Sequence, residues 1–420
     1  MPDSQPQPPS SPSSSGPAAQ PPLLLCGARL TDGRTVDVRL SGGRIEAVGT
    51  AGSLTADGTR TGGTRVDLTG HLLLPAPAEP HAHPVTALSA DSGGPVSYAP
   101  DAVQRRVTEA VLLQLGHGAT AVRAHVRVGD VAGLGALTAV LEAARALRGL
   151  AELTTVAMPR VLTGVAGAEA RAVLRDAVKM GATVVGGCPD LDPDPTGYVE
   201  AVLEVATEHG CPLDLHTDAA DPARLTRLAA MVGGLRPGVT LSPCTGLARI
   251  PGDQAARAAD RLAAAGVTVV CLPQGGCGAS GADHRGNAPV SVLRAAGVRL
   301  AAGSGALRDV SNPVGRGDPL EAAYLLASAH GLTPGDAYAA VSTSARAALG
   351  LPEVRVEAGF PAELLAVRGE SLPGALSLAY SRVVVHRGRV VARTSAVREY
   401  RGSATTTEWG LPRQGRGGTT

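Results

Sequence analysis

From about residue 71 to residue 303 the chain alternates short apolar runs with longer segments of mixed polarity. The short runs are 71–78 "HLLLPAPA", 119–126 "ATAVRAHV", 151–158 "AELTTVAM", 182–187 "ATVVGG", 212–216 "PLDLH", 238–242 "GVTLS", 267–272 "VTVVCL" and 298–303 "VRLAAG". Each is of strand length and mostly apolar, as expected of strands buried on both faces. Between them lie stretches such as "ALTAVLEAARALRG" and "DQAARAADRLAAAG", whose apolar spacing suits amphipathic helices. Eight β–α units over residues 68–360 predict an α/β fold, a TIM-like (β/α)8 barrel. On either side the period changes. "LLLCGARL", "TVDVRL" and "RIEAVG" within 23–67, and "AELLAVRG" and "SRVVVHRGRVVART" near 361–395, alternate with Gly and Asp turns. Neither end can bury a core alone, so the two are expected to form one small β-sandwich domain. The Pro/Ser-rich stretch 1–22 is expected to be disordered, and the tail 401–420 flexible.

Composition narrows this picture. Apolar residues make up 44% of the chain but aromatics only 2%, so the core must be filled by Ala, Val and Leu. The formal net charge of +1 gives no reason to expect nucleic acid or a membrane surface as partner. No stretch approaches the ~20 apolar residues that span a bilayer. "PPLLLCG" around Cys26 lacks the basic lead and apolar length of a lipoprotein signal and reads as the first strand. Six scattered cysteines without CxxC spacing fit reduced thiols and a cytoplasmic location.

Candidate chemistry starts in "AEPHAHPVTA", where His81 and His83 are two residues apart. On an extended strand both side chains point to one side. In parallel barrels chemistry sits at the C-terminal ends of the strands. His81 and His83 follow the first run, and His216 ends the fifth, so the three imidazoles are expected to converge.

In "LLLPAPAEPHAHPV", "GATAVRAHV", "GATVVGGCPD", "CPLDLHTDAAD", "GVTLSPCTG" and "AAGSGALRDVSNPVGRGDPLEAAYLL", the chain resembles metal-dependent amidohydrolases, most of all their cytosine deaminase branch. The resemblance implies a small-molecule ligand and one divalent metal, Zn or Fe, on His81, His83 and His216. It also implies an Asp after strand eight that ligates the ion and takes a proton, a Glu beyond the strand-five His that moves protons, and a His after strand six. Here those positions read Gly305, Ala219 and Pro243. Arg160 stands where the family usually has a Gln that reads the pyrimidine edge, and its charge favours an acidic ligand. Two-metal branches carry a modified lysine after strand four; the chain's single lysine, Lys179, precedes that strand. The other zinc deaminase class uses HxE with PCxxC, and "PCTGLA" at Pro243 does not match it.

Asp214, Asp218 and Asp309 are the nearest replacements for the absent carboxylates, with Asp214 first because it shares a strand side with His216. His125, beside Arg123, is expected to be structural, and His117, His209 and His330 to be solvated. Two functions follow. The chain is a C–N hydrolase whose deaminase chemistry is lost or severely weakened, or it is a non-catalytic homologue that binds a small molecule or a partner protein. Self-association into a homo-oligomer is left open.

Overall fold

A computed structural model describes residues 21–54, 63–129, 131–276, 287–378 and 380–396. Residues 1–20 of the Pro/Ser-rich stretch and the tail 401–420 lie outside them. The N-terminal strands are β1 (Leu23–Arg29), β2 (Thr35–Ser41), β3 (Arg44–Thr50), β4 (Thr64–Asp67) and β5 (His71–Pro75). The barrel strands are β6 (Ala78–Ala82), β7 (Ala121–Arg127), β8 (Glu152–Met158), β9 (Val184–Gly187), β10 (Leu213–Thr217), β11 (Val239–Pro243), β12 (Thr268–Cys271) and β13 (Arg299–Ala302). β14 (Leu364–Arg368), β15 (Arg382–His386) and β16 (Arg389–Thr394) complete the set.

β6 to β13 pair in chain order, all parallel, as the eight-unit pattern predicts. At the seam, Ala82 bridges Gly305, just beyond β13. Glu79 fastens it: its carboxylate accepts from Ser304 N at 2.8 Å and from the Ser304 hydroxyl. Helices cover the outside: α1 (Pro100–Gly116), α2 (Val131–Ala146), α3 (Gly164–Met180), α4 (Pro195–His209), α5 (Pro222–Val232), α6 (Gly252–Ala264), α7 (Val290–Ala295) and α8 (Pro319–His330). In α6 the buried face is Ala255, Ala258, Ala259 and Leu262, the i, i+3, i+4, i+7 stripe of an amphipathic helix. α4, α5 and α8 each start on an Asp-Pro pair. The Asp side chain accepts a first-turn N–H, and the Pro fills a position whose N–H has no helical partner.

The two chain ends do join. β14 pairs antiparallel with β5, giving one mixed eight-stranded sheet in the order β16-β15-β14-β5-β1-β2-β3, with β4 on β1. Leu25, Val38, Ile45, Leu68, Leu73 and Val385 form its core. The run 71–78, expected to be the first barrel strand, divides instead. His71–Pro75 belongs to the mixed sheet, and the barrel begins at Ala78. Pro75 and Pro77 lack the N–H that a continuous ladder needs, and the chain changes sheets between them. His81 therefore lies inside the first barrel strand, not after it. Among the described residues no helix is long and apolar enough to cross a membrane.

Candidate metal centre

Strand alternation builds the site. Glu79 and His81 on β6 and His83 just past it occupy every second position, as do Arg123, His125 and Arg127 on β7 and Asp214 and His216 on β10. The barrel brings these columns together. His81 Nε2 lies 3.1 Å from His83 Nε2 and 3.0 Å from His216 Nε2, and the latter two are 3.3 Å apart. Two nitrogens each ~2.0–2.1 Å from one tetrahedral ion are roughly 3.3 Å apart, so the triangle has the edges a single ion requires. His81 and His216 are buried, with ring centroids 4.4 Å apart.

The protonation chemistry fits as well. Burial pushes His216 down to about 3, and burial with the neighbouring imidazoles holds His81 and His83 well below the usual histidine range. All three are neutral at pH 7 and carry lone pairs. Three neutral Nε2 atoms at such distances cannot all satisfy one another, and His216 Nδ1 is buried with no hydrogen-bond partner. The donor set suits a divalent ion.

His125 forms a fourth corner, its ring centroid 4.3 Å from that of His81 and 4.8 Å from that of His216. His81, His125 and His216 bring one ring nitrogen each within 4.8 Å of one another, so they are a second set able to hold an ion. His125 also faces oxygen atoms, although its Nε2, like His216 Nδ1, is buried without a hydrogen bond. Its Nδ1 is 3.2 Å from Ala82 O, and its Nε2 is 3.3 Å from Asp214 Oδ1. Beneath it Arg123 donates to Asp214 Oδ2 at 3.0 Å and to Ala348 O at 2.9 Å. Burial pushes the Asp214 carboxyl up, but His125 and Arg123 outweigh it and hold it well below the usual range. Asp214 is thus an ionised floor to the histidine cluster.

Ser242 on β11 was not singled out from the sequence, and its Oγ lies 3.0 Å from His81 Nδ1. A bond to the far ring nitrogen fixes the imidazole's orientation and leaves Nε2 free to ligate. Ser242→Ala is expected to weaken metal binding about 10–100-fold, read by competition against a chelator of known affinity. Unchanged affinity would remove Ser242 from the site.

The positions that the resemblance matches to the family's Glu, His and Asp are now explicit. Ala219 is buried at φ 58°, and Pro243 ends β11, also buried. Gly305 adopts φ 71°, and a Cβ on it would stand 2.7 Å from Gly275 O. Two of the candidate replacements are committed elsewhere. Asp218 accepts from Thr245 and Arg249, and Asp309 accepts from Ser311 N of its own loop at 2.8 Å and from Thr86 Oγ1, far along the chain, at 3.0 Å. Arg160 is exposed just past β8 and has no polar partner among the described residues. Lys179 sits on the exposed side of α3, away from the strand ends. His117 and His330 are not simply solvated: each is half-buried and bonded, to Gly317 O at 3.1 Å and to the Asn287 amide at 2.7 Å.

Residues 85–392 match the model of the Amidohydrolase family. Over 240 residues the chain is 31% identical to pterin deaminase of Rhizobium rhizogenes (strain K84 / ATCC BAA-868), covering 53% of this chain and 54% of that one. Over 234 residues it is 27% identical to N-isopropylammelide isopropyl amidohydrolase of Pseudomonas sp. (strain ADP), covering 53% and 55%. The match thus spans about half the length of each of these relatives. The fold is similar to that of 5-methylcytosine deaminase from Klebsiella pneumoniae liganded with 5-fluorocytosine, with a TM-score of 0.78 and 23% identity over 90% of this chain and 99% of that one. For N-isopropylammelide isopropylaminohydrolase from Burkholderia multivorans ATCC 17616 the TM-score is 0.76 at 25% identity, covering 90% and 100%. With a matching model across most of its length and a histidine cluster inside a parallel barrel, the chain belongs to the amidohydrolase family.

Proposed function

We propose that the chain holds one divalent ion, Zn or Fe, on His81, His83 and His216, and uses the site for a small nitrogen heterocycle like those its relatives are named for. The observation that carries this is the triangle of Nε2 atoms with edges of 3.0–3.3 Å. We prefer His83 to His125 as third ligand because both nitrogens of His125 face oxygen atoms. When bound, such an ion supplies Lewis acidity and lowers the pKa of water. Ser242 orients His81, and Asp214 with Arg123 positions His125 beneath the site.

Deaminase chemistry is severely weakened in this reading. Attack at a ring carbon needs a base and then an acid, each typically contributing ~10²–10⁴-fold. Ala219 and Gly305 can supply neither, and Pro243 has no donor to hold water. The same three positions favour a second reading, a non-catalytic homologue that binds a small molecule or a partner protein.

One set of measurements tests both. Purified wild type is expected to carry about one equivalent of metal and His216→Ala far less. Metal-loaded protein should release ammonia from cytosine and from pterin well below the ~1 s⁻¹ lower end of ordinary turnover. Equal metal content in the two proteins would overturn the ligand set. Turnover at ordinary enzyme rates would overturn the claim of weakened chemistry and require another acid–base group. No turnover on any heterocycle, with the metal present, would favour the non-catalytic reading.

A further inference from the structure

The inner column of β7 is Arg123, His125, Arg127, at alternate positions and so on one face of the strand. The lower two are buried against the histidine cluster, whereas Arg127, the last residue of the strand, is exposed above it. Sharing that column with His125 places the Arg127 side chain on the imidazole side of the strand. Other arginines near this end of the barrel have acidic partners: Arg249 with Asp218 and Arg308 with Asp91 at 2.7 Å. Arg127 has none among the described residues. β7 and β8 pair in register Arg127↔Met158, and Arg160 follows Met158 by two residues. Two exposed guanidinium groups without polar partners thus stand at neighbouring strand ends. Three described carboxylates near the strand ends are engaged elsewhere. Asp218 holds Arg249 and Thr245, Asp190 accepts from Thr217 Oγ1 at 3.0 Å and Asp218 N at 2.9 Å, and Asp309 caps its loop.

We propose that Arg127, with Arg160 beside it, is an anion-binding fork at the mouth of the site, and that the heterocycle it selects carries a carboxylate. A planar guanidinium matches a carboxylate through two parallel N–H donors, which a neutral ring cannot use in the same way. The proposal rests on the small-heterocycle reading above, and its test keeps the two apart.

Zinc-loaded wild type and Arg127→Gln are titrated calorimetrically with two matched pairs, pterin-6-carboxylate against pterin and orotate against uracil, and zinc content is measured on the same samples. Wild type is expected to bind the carboxylated member of at least one pair about tenfold or more tightly, the worth of a charge-assisted hydrogen bond. Arg127→Gln should lose that preference while retaining its zinc, and the wild-type preference should shrink as salt is raised. Equal affinity within both pairs, a preference that survives Arg127→Gln, or no binding of any of the four at millimolar concentration would overturn the fork. Wild type that takes up no zinc yet still prefers the carboxylates through Arg127 would overturn the metal-site reading and leave the fork standing.

Discussion

Asp214→Ala is expected to destabilise the protein by about 3–5 kcal/mol, the cost of leaving one member of a buried ion pair alone. The side chain is 1% exposed and Arg123 is 2% exposed, so no solvent screens the charge left behind. In wild type the Arg123 guanidinium reaches Asp214 at 3.0 Å, Thr240 Oγ1 at 3.3 Å and Ala348 O at 2.9 Å. Without the carboxylate two neutral oxygens must hold a full cation. Urea unfolding of Asp214→Ala, Arg123→Met and the double variant measures this directly. The double variant should be less destabilised than the two single losses added together, because it buries no unpaired charge. The pH dependence has a definite sign. The Asp214 carboxyl is held below its unfolded value of about 3.9, so its contribution is complete above that value and fades as pH falls toward the folded one. Asp214→Ala should remove that acid-side loss. A destabilisation under ~1 kcal/mol at pH 7 would mean that the pair contributes nothing specific.

The barrel was legible because its signal is local: each strand is a short apolar run, and each helix carries its own stripe. The pair His81 and His83 was legible for the same reason, since a period of two puts them on one side of a strand wherever that strand lies. The seam was not. The run 71–78 is apolar after His71, and composition cannot say that its first half pairs with a strand some 290 residues later while its end opens the barrel. His125 was read as structural because a single histidine in an apolar strand has no partner in its own sequence. Its neighbours, Asp214 and His81, come from β10 and β6 and arrive only when the sheet closes. Ser242 was missed for the same reason, being 161 residues from the imidazole it faces. Ala219, Pro243 and Gly305 could be placed by position against the resembled family, but the backbone that accompanies them could not.

That backbone decides what reversal would do. Gly305→Asp, which installs the ligand and base that the resemblance implies, is expected to cost about 2–5 kcal/mol and to gain no ammonia release. Gly305 sits at φ 71°, a left-handed conformation that costs an L residue about 1–2 kcal/mol. The added Cβ would approach Gly275 O to 2.7 Å, and relieving such overpacking typically costs a further ~1–3 kcal/mol. The contact is with backbone, so no rotamer change relieves it, and the chain must move at the bridge that joins Ala82 to Gly305 across the seam. Any such shift also displaces His81 and His83, which flank Ala82, so the new carboxylate would arrive with its fellow ligands disturbed. Ala219→Glu provides the contrast: that position already carries a Cβ at φ 58°, so substitution there adds no new backbone strain. Metal content of the two variants separates the cases: Gly305→Asp should lose the ion as the main chain shifts, whereas Ala219→Glu, whose buried carboxylate costs desolvation but moves no backbone, should keep it. Should Gly305→Asp prove as stable as wild type and raise ammonia release tenfold, the site would be a deaminase centre lacking only side chains. The expected result instead places the divergence in the main chain after β13, where a glycine conformation and its close carbonyl have replaced the room an aspartate needs.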